Sequence, residues 1–100
     1  MKNNLTNAQQ YIVKLIQDLE GGFIYVRYVK RCNKWVYFLT RDTEHHPLSL
    51  FRVKLPQTIR ALIRKGVLIP EMDDKEFEIQ FALRSINWRV YNLAEEFDKC

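Results

Sequence analysis

Apolar residues recur at helical intervals near the amino terminus. Ala8, Tyr11, Ile12, Leu15, Ile16 and Leu19 fall three or four positions apart and so share one side of an α-helix. Thr6 and Gln9 have the spacing of a capping box at its start, and Gly21 with Gly22 can supply the left-handed backbone that stops it. The period then shortens to two. "GFIYVRYV" and "KWVYFLT" are rich in aromatic and β-branched residues and flank "KRCN", where Asn33 tolerates positive φ; together they predict a β-hairpin. Alternation puts Ile24, Val26 and Tyr28 on one face and Phe23, Tyr25, Arg27 and Val29 on the other. Both faces are largely apolar, so one is expected to pack on the first helix and the other to have its rings partly covered.

"RDTEHHP" is a polar connection. Beyond it Phe51, Val53 and Leu55 alternate with Arg52 and Lys54 as in a strand, while Pro47 to Arg52 also fits one short helical turn; strand is the favoured reading. "LPQTIRALIRKGVLI" follows, with Pro56 suited to a first helical position and Gly66 to an exit, which predicts a helix of about ten residues. Val67 to Ile69 should then run as a short strand. After the acidic turn "PEMDDKE", Phe77, Ile79, Phe81 and Leu83 alternate with Glu76, Glu78, Gln80 and Ala82, which predicts a half-buried strand. "SIN" turns the chain, Trp88 to Leu93 returns antiparallel to that strand, and "AEEFDKC" is an acidic tail with room for a last helical turn.

One hundred residues with 47% hydrophobic content fit a single domain spanning 1–100. No apolar run approaches the roughly 20 residues that span a bilayer, and "MKNNLTNAQQ" lacks the apolar stretch of a secretory signal. The expectation is a soluble cytoplasmic protein with no membrane partner. Cys32 and Cys100 lack the paired spacing of a zinc or redox site and are expected as reduced thiols, and the adjacent His45 and His46 read as loop residues.

Charge changes the picture more than composition does. The net charge is +4, but residues 21–70 carry ten Lys or Arg against Asp42 and Glu44, a local +8, whereas residues 71–100 are net −4. Local field governs where a polyanion docks, so the middle of the chain is the place to look for a contact surface. At 100° per residue, Ile59, Leu62 and Ile63 form one apolar stripe of the 56–65 helix, and Gln57, Arg60, Ala61 and Arg64 line the opposite side, flanked by Thr58 and Lys65. Gln and Arg can make paired hydrogen bonds to base edges in a major groove. Arg31 and Lys34 at the hairpin turn, together with Lys54, are further candidate phosphate contacts.

"TIRALIRKGVLI" with "FEIQFALRSINWRVYNL", preceded by the amphipathic "AQQYIVKLIQDL", resembles the winged helix-turn-helix family in order: a helix ending at glycine, a short strand, then a β-hairpin wing. The resemblance covers about half the chain and implies a small α+β winged-helix-like domain, with two main helices packed on antiparallel β-hairpins. It further implies double-stranded DNA as partner, Gln57, Arg60, Ala61 and Arg64 towards the bases, and Thr58 and Lys65 nearer to phosphate. The acidic "EMDDKE" at the wing tip would then stand away from the DNA, because like charges repel. Homodimerisation stays open, since one short helix reads few base pairs and paired half-sites are the usual remedy.

Asp73, Asp74, Glu76 and Glu78 crowd one turn without a histidine or a second cluster, and three glycines leave no phosphate-cradling loop. The expectation is therefore a non-catalytic regulatory module with no cofactor, metal or small-molecule substrate. The alternative from a different class is a protein-assembly module, in which the acidic tail with Trp88, Tyr91 and Phe97 forms a seam without touching nucleic acid.

Overall fold

The computed structural model describes residues 4–97. Helix α1 (Asn7–Asp18) opens on the expected capping box: Gln9 N–H donates to Thr6 Oγ1 at 3.2 Å and Thr6 N–H to Gln9 Oε1 at 3.1 Å. Strands β1 (Phe23–Val29) and β2 (Lys34–Thr40) form the hairpin, with Asn33 at φ 55° in its turn. The two readings of the next segment are realised in succession, as a 3₁₀ turn (Pro47–Ser49) and a two-residue strand β3 (Phe51–Arg52). Helix α2 (Pro56–Arg64), strand β4 (Leu68–Pro70), helix α3 (Asp74–Ala82), strand β5 (Trp88–Leu93) and a 3₁₀ turn (Glu95–Phe97) complete the order. The last three residues of the acidic tail, Cys100 among them, lie outside the described residues; Cys32 is an exposed free thiol.

All five strands join one antiparallel sheet in the order β3-β2-β1-β5-β4. Register decides its two faces. Ile24 pairs with Leu39 and Tyr91, and these side chains share a buried cluster with Ile12, Val13 and Ile16 of α1 and Ile59 and Leu62 of α2. Tyr28 pairs with Trp35 on that same face, and Phe77 and Phe81 of α3 pack on their rings. The three helices therefore cover one side of the sheet. None is long and apolar enough to cross a membrane.

Two expectations are corrected here. Residues 76–83, read as a wing strand, form helix α3, so the described chain has three helices instead of two. The alternation of Phe77, Ile79, Phe81 and Leu83 is misleading because only the two phenylalanines, four residues apart, turn inward; Ile79 and Leu83 are 52% and 69% exposed. Consequently β5 has no hairpin partner at 77–83 and pairs with β1 and β4, and the acidic turn is a helix start, where the Asp73 carboxylate accepts the Lys75 N–H.

The opposite face of the sheet carries Phe23, Tyr25 and Val90, with Phe38 and Trp88 beside them, and the 41–50 loop covers part of it. Its Asp42 carboxylate accepts the Glu44 and His46 N–H groups and the Ser49 hydroxyl, contacts that lower its pKa. Thus fixed, the loop lays the His45 ring on Tyr25, with centroids 4.0 Å apart, and against Trp88. Burial lowers the His45 pKa, opposed by the Asp42 carboxylate. The folded state therefore prefers neutral imidazole, and the contribution of this contact is present above the ordinary value of about 6.5 and is lost as pH falls through it towards the folded value. We expect the thermal midpoint to decline as pH falls from neutral through about 6.5, and His45→Asn, which tolerates the positive φ of 56° at this position, to flatten that part of the profile. An unchanged profile in the variant would assign the decline to another group.

Candidate nucleic-acid interface

Helix α2 starts at Pro56, whose missing N–H costs nothing in the first turn. It ends in a Schellman arrangement: Gly66, at φ 78°, donates its N–H to Ile63 O, and Val67 N–H donates to Leu62 O. Ile59 and Leu62 are fully buried and Ile63 half-buried, as the apolar stripe requires. With that side fixed, Gln57, Arg60 and Arg64 face solvent, whereas Thr58 and Ala61 are half-buried on the flank of the helix. Arg64 also lies in the last turn, where a cation complements the helix dipole.

Among the described residues neither Arg60 nor Arg64 meets a carboxylate within 4.0 Å; the ion pairs there are Lys14 with Asp18 and Arg89 with Asp74. Arg60 makes one long contact, Nη1 to Tyr37 Oη at 3.4 Å. Lys65 is differently placed from the expectation of a free phosphate contact: its ammonium donates to Asn4 O at 2.9 Å and to Gln9 Oε1 at 2.8 Å. It thus ties the end of α2 to the start of α1. Lys54 is exposed beside β3, and Arg31 and Lys34 are exposed at the hairpin turn. Lys34 stands three residues, about 10 Å of strand, from Tyr37, so the hairpin cations flank the α2 surface without joining it.

Between α2 and α3 the helix layer parts over a cavity of about 370 Å³. Val26, Tyr37 and Tyr91 form its floor, Arg60 and Arg64 its α2 side, and Trp35 and Phe77 its α3 side. Arg89, in the same lining, is the functional candidate that sequence reasoning missed. Its guanidinium carbon sits 4.4 Å above the Phe77 ring and 5.3 Å from that of Tyr91, and Nη2 donates to Asp74 Oδ1 at 2.8 Å and to Met72 O at 2.7 Å. Its buried Nε–H finds no acceptor among the described residues. The available signal was an arginine alternating inward with Tyr91 in "WRVYNL", a charge on the core side of a strand. Burial raises the Tyr91 pKa, so the floor holds a neutral phenol and not an anion.

No carboxylate lines the cavity, and Arg60, Arg64 and Arg89 all belong to its lining. The arrangement can supply phosphate contacts outside, from the exposed side of α2, and an aromatic surface inside. It offers no nucleophile with a base, and no three His, Cys, Asp or Glu residues cluster for a metal among the described residues. The chain matches no protein-family model, no curated protein and no solved structure.

Proposed function

We propose that this chain is a non-catalytic nucleic-acid-binding module that holds double-stranded DNA against the exposed side of α2. One observation carries the reading: Arg60 and Arg64 project from a helix whose other side is locked into the core, and neither is neutralised by a carboxylate among the described residues. The likeness to winged-helix proteins enters only through α2, Gly66 and β4, since no wing hairpin follows. Arg60 and Arg64 are the principal contacts, exposed Gln57 reads a base edge, and Lys54, Arg31 and Lys34 supply flanking charge.

Arg60→Ala with Arg64→Ala is expected to weaken binding to a duplex about tenfold or more at 0.1 M salt in a fluorescence anisotropy titration. The slope of log affinity against log salt should fall by about two, and the thermal midpoint should stay within a degree or two because both side chains lie outside the core. Unaltered affinity would reject the assignment. A protein-assembly reading is favoured by a different observation, the exposure of Leu48 (91%) and Phe51 (64%) beside edge strand β3. Association through such a seam would persist as salt rises, and sedimentation with and without duplex separates the two.

A further inference from the structure

A helix face that only neutralises phosphates needs no cavity beside it. The opening between α2 and α3 has the size of a small-ligand pocket, which typically starts at about 300 Å³, and its chemistry is specific. Phe77 is already covered by the Arg89 guanidinium, and Tyr37 and Tyr91 are almost fully buried, so the remaining lining ring is half-buried Trp35, itself packed by Tyr28, Phe77 and Phe81. The two α2 arginines stand at one side of that ring surface. Below them Arg89 adds to the lining, its guanidinium held over Phe77 by the Nη2 bonds to Asp74 and Met72 O.

Resting on the α2 reading above, we infer that this cavity receives one unpaired nucleotide. Its base lies on Trp35 beside the Arg89 guanidinium, and its phosphate stays with Arg60 and Arg64. Guanidinium donors pair with acceptors on base edges, and stacking on an aromatic ring accepts any base. A planar aliphatic or uncharged ligand would use neither the arginines nor the absence of lining carboxylates. The favoured nucleic acid is then one that offers an unpaired base beside a stretch of backbone, such as a duplex with a single-stranded overhang. A free mononucleotide has the same ring and phosphate, and the test separates it from the strand.

The register puts Trp88 on the opposite face of the sheet, so Trp88→Phe leaves Trp35 as the one tryptophan emitter without touching the cavity. In that background, a duplex with a short overhang, the blunt duplex of the same sequence, and deoxyadenosine monophosphate are titrated separately. We expect the overhang duplex to quench Trp35 fluorescence and to bind about tenfold tighter than the blunt one, in line with one stacked base, and Trp35→Leu, followed by the anisotropy of labelled duplexes, to bring that ratio to about one. Quenching by the overhang alone assigns the site to a strand; quenching by the mononucleotide as well assigns it to the nucleotide in general. Absence of quenching by both, or an overhang advantage that survives Trp35→Leu, overturns the inference. Blunt-duplex binding that persists in that case leaves the α2 reading standing, whereas loss of all binding removes both.

Discussion

Replacing Leu62 by alanine is expected to cost about 3 kcal/mol and to lower the thermal midpoint by roughly 12–24 °C. Leu62 is fully buried, and with Ile59 it is one of only two buried side chains on α2. It shares its buried cluster with residues of α1, β1, β2, β4 and β5, so the void cannot close by the movement of one side chain. A nine-residue helix has little stability of its own and persists because its apolar stripe is docked. Leu62→Ala should therefore loosen the same helix that presents Arg60 and Arg64, and weaken nucleic-acid binding in proportion to unfolding. Arg60→Ala with Arg64→Ala should do the reverse, weakening binding while the midpoint holds. Thermal unfolding followed by circular dichroism measures the first effect directly. A loss below about 1 kcal/mol would mean that α2 is not anchored through this side chain.

Where periodicity and burial agree, the fold was legible from residues alone. The Thr6–Gln9 box, the two-residue recurrence in the hairpin and Gly66 at the end of α2 each correspond to what their residues imply, and the first helix forms, although Ile12 and Ile16 are buried with Gln9 and Val13 while Ala8 and Tyr11 of the expected stripe are exposed. Alternation failed at 77–83 because a short helix with phenylalanines at 77 and 81 and exposed aliphatics at 79 and 83 writes the same pattern as a strand. The overlooked signal is capping chemistry: Asp73 accepts the Lys75 N–H and acids fill the first turn. The candidate site was half legible. The outward arginines of α2 follow from one helix taken by itself, but the cavity needs β5 beside β1 and α3 beside α2, long-range neighbours that no local pattern encodes.

Helix α3 is the element whose attachment depends most on one side chain. Phe77 is its sole buried residue, stacked with Phe81, tilted against Trp35 and capped by the Arg89 guanidinium at 4.4 Å. Half-buried Phe81 adds contacts with Tyr28 and Trp35, whereas the Arg89 bond to Asp74, an ion pair whose acidic partner is 80% exposed, adds little. Phe77→Ala should thus release about 3 kcal/mol of packing, and the release should be felt as local opening before global unfolding, since α1, α2 and the central strands keep their own buried cluster. In amide hydrogen exchange we expect protection across 74–82 to fall about 100-fold, with much smaller changes in α1 and β1. The Arg89 guanidinium would lose its ring and the cavity one wall, so any advantage of an unpaired nucleotide should disappear with it. Equal loss of protection along the whole chain would instead place α3 inside the cooperative core, and the opening between the two helices would then be a fixed feature of the fold and not a space bounded by a detachable lid.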